Sequence, residues 1–213
     1  TRLERGSVDT VTAADRSGAE EATGHLLANG RRRIVYLGNE SATWADRERA
    51  EGYEAALRRV LAEDAQPIIE RVNQGSSDEA QTAIRAMIER GVAFDSILAF
   101  DDLMALGARL ALVDAGLRVP QDVALVGFDN IELSRLPEVA LTTVDIPKYE
   151  IGRVAADRVL NRIEQAHATR KVTQPVTNPT EIVLQTRLIV RRTCGAKQVG
   201  PGSESADMKA HMP

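Results

Sequence analysis

Residues 96–130, SILAFDDLMALGARLALVDAGLRVPQDVALVGFDN, leave a chain few ways to fold. An apolar run, Ile97-Leu98-Ala99-Phe100, stops at Asp101-Asp102. Leu103, Leu106, Gly107, Leu110 and Val113 then recur at helical spacing. Gly116 closes that helix, where a residue free to take positive φ is wanted, and Pro120 blocks re-entry. A second apolar run, Val123-Ala124-Leu125-Val126, ends at Gly127 and Asp129. Strand, helix and strand in this order make a βαβ unit. Neither strand alternates apolar with polar residues, as expected of a parallel sheet covered on both faces. Parallel strands deliver Asp101, Asp102 and Asp129 to one edge of the sheet, the carboxyl edge at which open α/β sheets bind ligands.

The same alternation extends upstream. A helix is expected over Asp15–Leu27, with Ala19, Ala22, Leu26 and Leu27 in one stripe and Asp15 or Ser17 as its cap. Arg31-Arg32-Arg33 reads as a solvated turn before the strand Ile34–Leu37. A helix over Ala45–Glu63 buries Tyr53, Ala56, Leu57, Val60 and Leu61, and Ile68–Val72 is the next strand. Ser77 or Asp78 caps a helix whose stripe is Ala80, Ile84, Met87 and Ile88. This order predicts a doubly wound α/β fold on a parallel sheet. Downstream come a loop over 131–139, a strand over Leu141–Ile146 and a helix over Ile151–Ile163. The face of that helix expected to be buried is Ile151, Val154, Ala155, Val159 and Ile163. A polar loop over 166–179 and one or two strands within Glu181–Arg192 follow. Val8–Thr12 could be a strand, with nothing before it to pair with. From Cys194 on, Gly, Ser and charge predict disorder. His25 reads as a packing histidine.

Composition narrows the function classes. Net charge is −4, whereas a nucleic-acid grip needs a basic face. A single cysteine excludes an internal disulfide and fits a reducing cytoplasm. No stretch is apolar enough to span a bilayer. TRLERGSVDT has neither the apolar core of a signal peptide nor an initiator Met, so a fragment is expected. No HExxH, CxxC, GxSxG or phosphate-loop pattern occurs, and neither cofactor nor metal is expected.

GLRVPQDVALVGFDN, followed by ALTTVDIP and KYEIGRVA, resembles the ligand-sensing domain of the lactose repressor (LacI/GalR) family of bacterial transcription regulators. GAEEATGHLLANGRRRIVYLG, DRERAEGYEAAL, AFDDLMALGARLAL and PTEIVLQTRLIVRRT agree in order and spacing, so the resemblance covers nearly all of residues 8–193. It implies the fold of periplasmic sugar-binding proteins: two α/β subdomains, three crossing strands, and ligand in the cleft between them. On that pattern residues 1–13 are a remnant of the N-terminal subdomain and crossover, and 14–139 are the C-terminal ligand-sensing subdomain. Residues 140–165 return to an incomplete N-terminal subdomain, 180–193 are terminal strands, and 194–213 are tail. The family's DNA-binding headpiece would precede all of these.

The resemblance also implies a site. Arg49 matches an arginine that clamps ligand hydroxyls or carboxylate, a task suited to its planar, paired donors; its alternative is a surface pair with Glu48 or Glu51. Arg47 shares its helical turn. Asp129 matches an acceptor of ligand hydroxyls, or else caps the next turn. Asp101 stands where relatives carry a small polar residue, and Asp102 is expected to cap its helix. Ser77 replaces a large aromatic and cannot stack, so Trp44, first among the few aromatics, with Phe100 and Phe128, is the candidate stacking surface. The ligand-binding set is therefore Arg49, Asp129, Asp101, Trp44, Phe100 and Ser77. The implied function is the effector-sensing domain of a cytoplasmic repressor. It would take a small metabolite, a sugar, in its cleft, and reach operator DNA through the headpiece. It would form a homodimer through the Leu103–Val113 helix and the Ile131–Leu136 loop. One rival is a periplasmic sugar-binding protein of the same fold. The other is metal-assisted phosphoryl transfer on the three aspartates, which no lysine or nucleophile accompanies.

Overall fold

A computed structural model describes residues 8–169 and 179–196. Its elements are β1 (Thr10–Ala13), α1 (Asp15–Ala28), β2 (Ile34–Asn39), α2 (Thr43–Leu61), β3 (Ile68–Val72), α3 (Ser77–Glu89), β4 (Ser96–Ala99) and α4 (Asp102–Asp114). After these come β5 (Ala124–Phe128), α5 (Glu132–Arg135), β6 (Thr142–Asp145), α6 (Lys148–Thr169), β7 (Glu181–Leu184) and β8 (Arg187–Ile189).

Side chains alternate across each central strand, and both sets are apolar because each face of the sheet has its own core. Val35, Leu37, Ile97, Ala99 and Leu125 point to the side of α3 and α4. Ile34, Tyr36, Leu98, Ala124, Val126 and Phe128 point to the side of α1 and α2. The six-stranded sheet has the order β3-β2-β4-β5-β6-β8. Every pairing in it is parallel except β6 with β8. The expected α/β, doubly wound parallel architecture is the one found.

Helix α4 carries two apolar faces. Met104, Ala105, Ala108, Ala111 and Leu112 are buried toward the sheet, while Leu103, Leu110 and Val113 face outward. Small residues on the inner face let neighbours close in. A Cβ on Gly107 would stand 2.0 Å from the Ser77 carbonyl oxygen, so α3 and α4 touch backbone to backbone there. Gly116 takes φ 74° after the C-cap Ala115, as the helix-closing turn requires.

Four local expectations are corrected. Ser76, rather than Ser77 or Asp78, caps α3, in a reciprocal box with Glu79. Residues Thr142–Asp145, expected to leave for a second subdomain, are bonded into the main sheet between β5 and β8. Cys194, expected in a tail, is fully buried with its thiol 3.2 Å from His25 Nε2. The face of α6 expected to be buried is half-buried at best: Val159 is 58% and Ile163 47% exposed. Among the described residues the strand that α6 packs against most is β1, in the β1/β7 ribbon.

That ribbon answers the missing neighbour of the first strand. β1 pairs in parallel with β7, Thr10 opposite Glu181. Asp9 ties it to α6, accepting from Arg158 Nε and Arg162 Nε, each at 2.8 Å, and from the Thr180 amide at 2.7 Å. Those donors hold the Asp9 carboxyl well below the usual carboxylate range, the Arg162 bond first. The rest of the expected N-terminal remnant, most of the 166–179 loop and the tail beyond residue 196 lie outside the described residues.

Candidate functional site

The site is assembled where β2, β4 and β5 end. Its base is set by Asp46 in the first turns of α2. Asp46 accepts from the Tyr36 hydroxyl at 2.9 Å, the Asn39 amide at 2.9 Å and Arg71 Nε at 3.0 Å. These bonds fix α2 against the strand ends and so fix Arg49, one turn further on. Burial, with Asp46 beside it, pushes the Tyr36 phenol far above its ordinary range.

Arg49 is 4% exposed. Its Nε donates to Asp15 Oδ1 at 2.8 Å, its Nη1 to the Phe100 carbonyl, and its Nη2 lies 3.8 Å from Asp129 Oδ1. The guanidinium is 3.8 Å from the centroid of the Phe128 ring and 4.5 Å from that of Phe100, within cation–π range of both. The surface-arginine alternative, pairing with Glu48 or Glu51, is not the arrangement found. Arg47 is exposed.

Asp129 sits at the very end of β5 with φ 99°, followed by Asn130 at φ 49°. Left-handed backbone in non-glycine residues costs roughly 1–3 kcal/mol each and persists where neighbours over-determine it. Here they do. The Asp129 amide donates to the Val144 carbonyl at 2.8 Å, and Lys148 Nζ donates to the Asp129 carbonyl. Asn130 Nδ2 donates to Asp145 Oδ1 at 2.8 Å, and Asn130 Oδ1 accepts from Arg191 Nη2 at 2.7 Å. The Asp129 carboxylate is thereby held at the edge beside Arg49 and stays partly open to solvent.

Of the two neighbouring aspartates, Asp101 and not Asp102 caps the helix. Asp101 is the N-cap of α4, its Oδ1 accepting from the Met104 amide at 2.7 Å. Burial first, and the nearby Asp129 charge, raise its pKa. Asp102 caps nothing and is fully buried. Its Oδ1 accepts from Thr143 Oγ1 at 2.6 Å; its Oδ2 accepts from the Ile131 amide and faces Ser134 Oγ, both at 2.9 Å. Desolvation pushes its carboxyl up to about 6 against the pull of those donors. With both oxygens turned into the protein, Asp102 cannot join Asp101 and Asp129 around a cation. Among the described residues no cluster of three or more potential metal ligands occurs.

Arg49, Asp129, Asp101 and Phe100 thus come together, with Phe128 as the floor. Trp44 lies in the first turn of α2 rather than in a loop and is 39% exposed. Ser77 opens α3 with its backbone against Gly107 of α4. Asp15, one of the two residues expected to cap α1, makes no cap bond and instead orients Arg49. A carboxylate in the first turn after a strand was the only local sign of it. A groove of about 780 Å³ lined by Arg109, Pro120, Val139, Arg192 and Thr193 lies at the opposite, amino edge of the sheet. It shares no residue with the Arg49 cluster, so the polar edge and not this groove is the candidate site. Chemically the edge offers a half-open carboxylate acceptor, a buried planar donor and aromatic carbon, a set suited to hydroxylated rings.

The chain is similar in sequence and in fold to known proteins. Residues 23–194 match the periplasmic binding protein-like domain family. Over 165 residues the chain is 32% identical to the HTH-type transcriptional repressor PurR of Aliivibrio salmonicida, a match covering 77% of this chain and 49% of that protein. A structure from Sanguibacter keddieii assigned to the LacI family of transcriptional regulators superposes with a TM-score of 0.79 at 33% identity, covering 92% of this chain and 70% of that one. The transcriptional regulator CelR in complex with cellobiose superposes with a TM-score of 0.77 at 30% identity, covering 90% of this chain and 55% of that one. The chain spans about half the length of the curated relatives it matches.

Proposed function

The chain belongs to the periplasmic binding protein-like domain family, in the form carried by LacI-family transcriptional regulators, and from that premise we propose that it senses a neutral, hydroxylated metabolite, a sugar, at the Arg49–Asp129 edge. The observation that carries this is the buried Arg49, oriented by Asp15 and spread over two phenylalanine rings, beside a carboxylate with an open face. The relatives are regulators, which favours sensing over transport or catalysis. In this reading Asp129, Asp101 and Arg49 hold ligand hydroxyls, Phe100 and Trp44 pack on the ring, and Ser77 leaves space that an aromatic would fill. Ligand then alters operator binding by its different affinity for two arrangements of the regulator. With net charge −4 the 213 residues leave the operator contact to another part of that cytoplasmic protein.

A thermal-shift screen of ribose, cellobiose and nucleosides tests the site. At least one is expected to raise Tm in the wild type, and Asp129→Ala is expected to abolish that rise while leaving the unliganded Tm within a few degrees. An undiminished shift in the variant refutes the assignment.

The partner implied is a second copy. Leu103, Leu110 and Val113 form one outward stripe on α4, and Leu133 of α5 and Leu136 at its C-cap are exposed as well, all at least 43%. A self-complementary apolar stripe on a helix fits a twofold interface. Leu110, itself 52% exposed, can be changed without touching the core. Leu110→Glu is expected to convert dimers to monomers by light scattering; an unchanged mass overturns the interface.

A further inference from the structure

Between the ligand edge and the outward face of α4 lies one buried acid whose bonds reach both. Asp102 anchors the first turn of α4, beside the exposed Leu103. Its Oδ2 holds the 131–134 turn, which carries Leu133 and leads to Leu136. Its Oδ1 holds Thr143 of β6. Thr143 Oγ1 in turn accepts from the Asn130 amide at 3.2 Å, the residue next to Asp129. A chain of hydrogen bonds therefore runs from the left-handed Asp129–Asn130 pair, through Thr143 and Asp102, to the turn bearing the apolar side chains.

We propose that Asp102 is the positioning residue that couples the ligand-binding edge to the self-association face, holding the 131–134 turn in the place where Leu133 and Leu136 extend the α4 stripe. It rests on the sensor reading and on the dimer face above, and adds the part that joins them. The ionised carboxylate holds its donors by charge-assisted bonds, roughly twice as strong as neutral ones. A proton on Asp102 turns one oxygen into a donor. Ser134 Oγ, which also lies 2.5 Å from the Ile131 carbonyl, then reverses its hydroxyl, and the bond from the Ile131 amide weakens. Self-association is therefore firm while Asp102 is charged and loosens as pH falls through its titration. The charges facing this group are few. Asp129, at the end of β5, raises its pKa, and Arg191, beyond β8, interacts with it while itself facing Arg135 and Asp145. A ligand that covers or neutralises Asp129 acts on Asp102 through both the charge and the Thr143 bond.

Sedimentation velocity on the full 213-residue chain from pH 7.5 to 5.0 tests this, with Asp102→Asn, Thr143→Val, Asp129→Asn and Leu110→Glu alongside wild type. The wild-type dimer dissociation constant is expected to rise at least threefold across the range, with a midpoint near 6. Asp102→Asn is expected to flatten the profile while far-UV circular dichroism is unchanged. Asp129→Asn removes a charge that raises the Asp102 pKa and shifts the midpoint down; Thr143→Val removes a donor that lowers it and shifts the midpoint up. Titrations common to every variant cancel in the differences. A merely structural role for Asp102 would change stability and leave these midpoints in place. A wild-type profile in Asp102→Asn, or an unmoved midpoint in Asp129→Asn, overturns the coupling while the dimer face stands. A wild type that is monomeric throughout, or a Leu110→Glu chain that dimerises normally, removes the face and the coupling with it.

Discussion

Arg49→Ala is expected to abolish ligand binding and to cost the fold about 3–5 kcal/mol, the loss typical of breaking a buried ion pair from one side. The reason lies in what is left behind. Asp15 is 8% exposed and would keep a buried charge with its 2.8 Å partner gone. The Phe100 carbonyl would lose its donor, and the Phe128 ring would face a void where the guanidinium lay. Urea unfolding monitored by circular dichroism reads the cost. Arg49→Lys keeps the charge but not the planar fork, so it should recover part of the stability and little of the binding. An Asp15→Asn, Arg49→Ala double variant should be more stable than Arg49→Ala alone, because the unpaired charge is gone. A single-variant cost below about 1 kcal/mol, the range of exposed pairs, would mean that Arg49 is not held as described.

Gly107→Val carries the second large effect, about 1–3 kcal/mol or more from overpacking. The new Cβ would meet backbone atoms of Ser77 at 2.0, 2.8 and 3.0 Å, and backbone at a helix start cannot swing aside as a long side chain can. Helix α3 must therefore move off α4, carrying the Ser76–Glu79 cap with it. For a chain of this size each kcal/mol lowers Tm by roughly 2–4 °C, which differential scanning calorimetry resolves. Gly107→Ala sharpens the test. In an open helix Ala is favoured over Gly by about 1 kcal/mol, so a stabilised Ala variant would show that the two helices do not touch there.

The sheet was legible because its cause is local. Ile97–Ala99 and Val123–Val126 are short apolar runs on successive residues, as a strand covered on both faces shows, and both faces are core. The edge at which Asp101 and Asp129 arrive follows from parallel direction alone. What could not be read depends on partners far along the chain. Asp101 and Asp102 are neighbours, and one residue of phase decides which caps α4. The partners that claim Asp102 are Ser134 and Thr143, 32 and 41 positions away. Asp15 meets Arg49 across 34 positions. β1 finds its neighbour in β7, and no periodicity within Val8–Thr12 announces it. The stripe on α6 says that an apolar face exists, not what lies against it. Propensity and pattern describe each element's own surface; the pairing of surfaces is settled by tertiary packing.

The thiol of Cys194 makes the protein its own gauge of opening. It has no exposed surface and is the sole sulfhydryl in the chain. A reagent in solvent can reach it only during excursions in which the segment after β8 lifts from His25 and the α1 side of the sheet. The rate of its modification therefore reports how often that seam parts, and a cysteine introduced elsewhere for a fluorescent dye would start from a silent background.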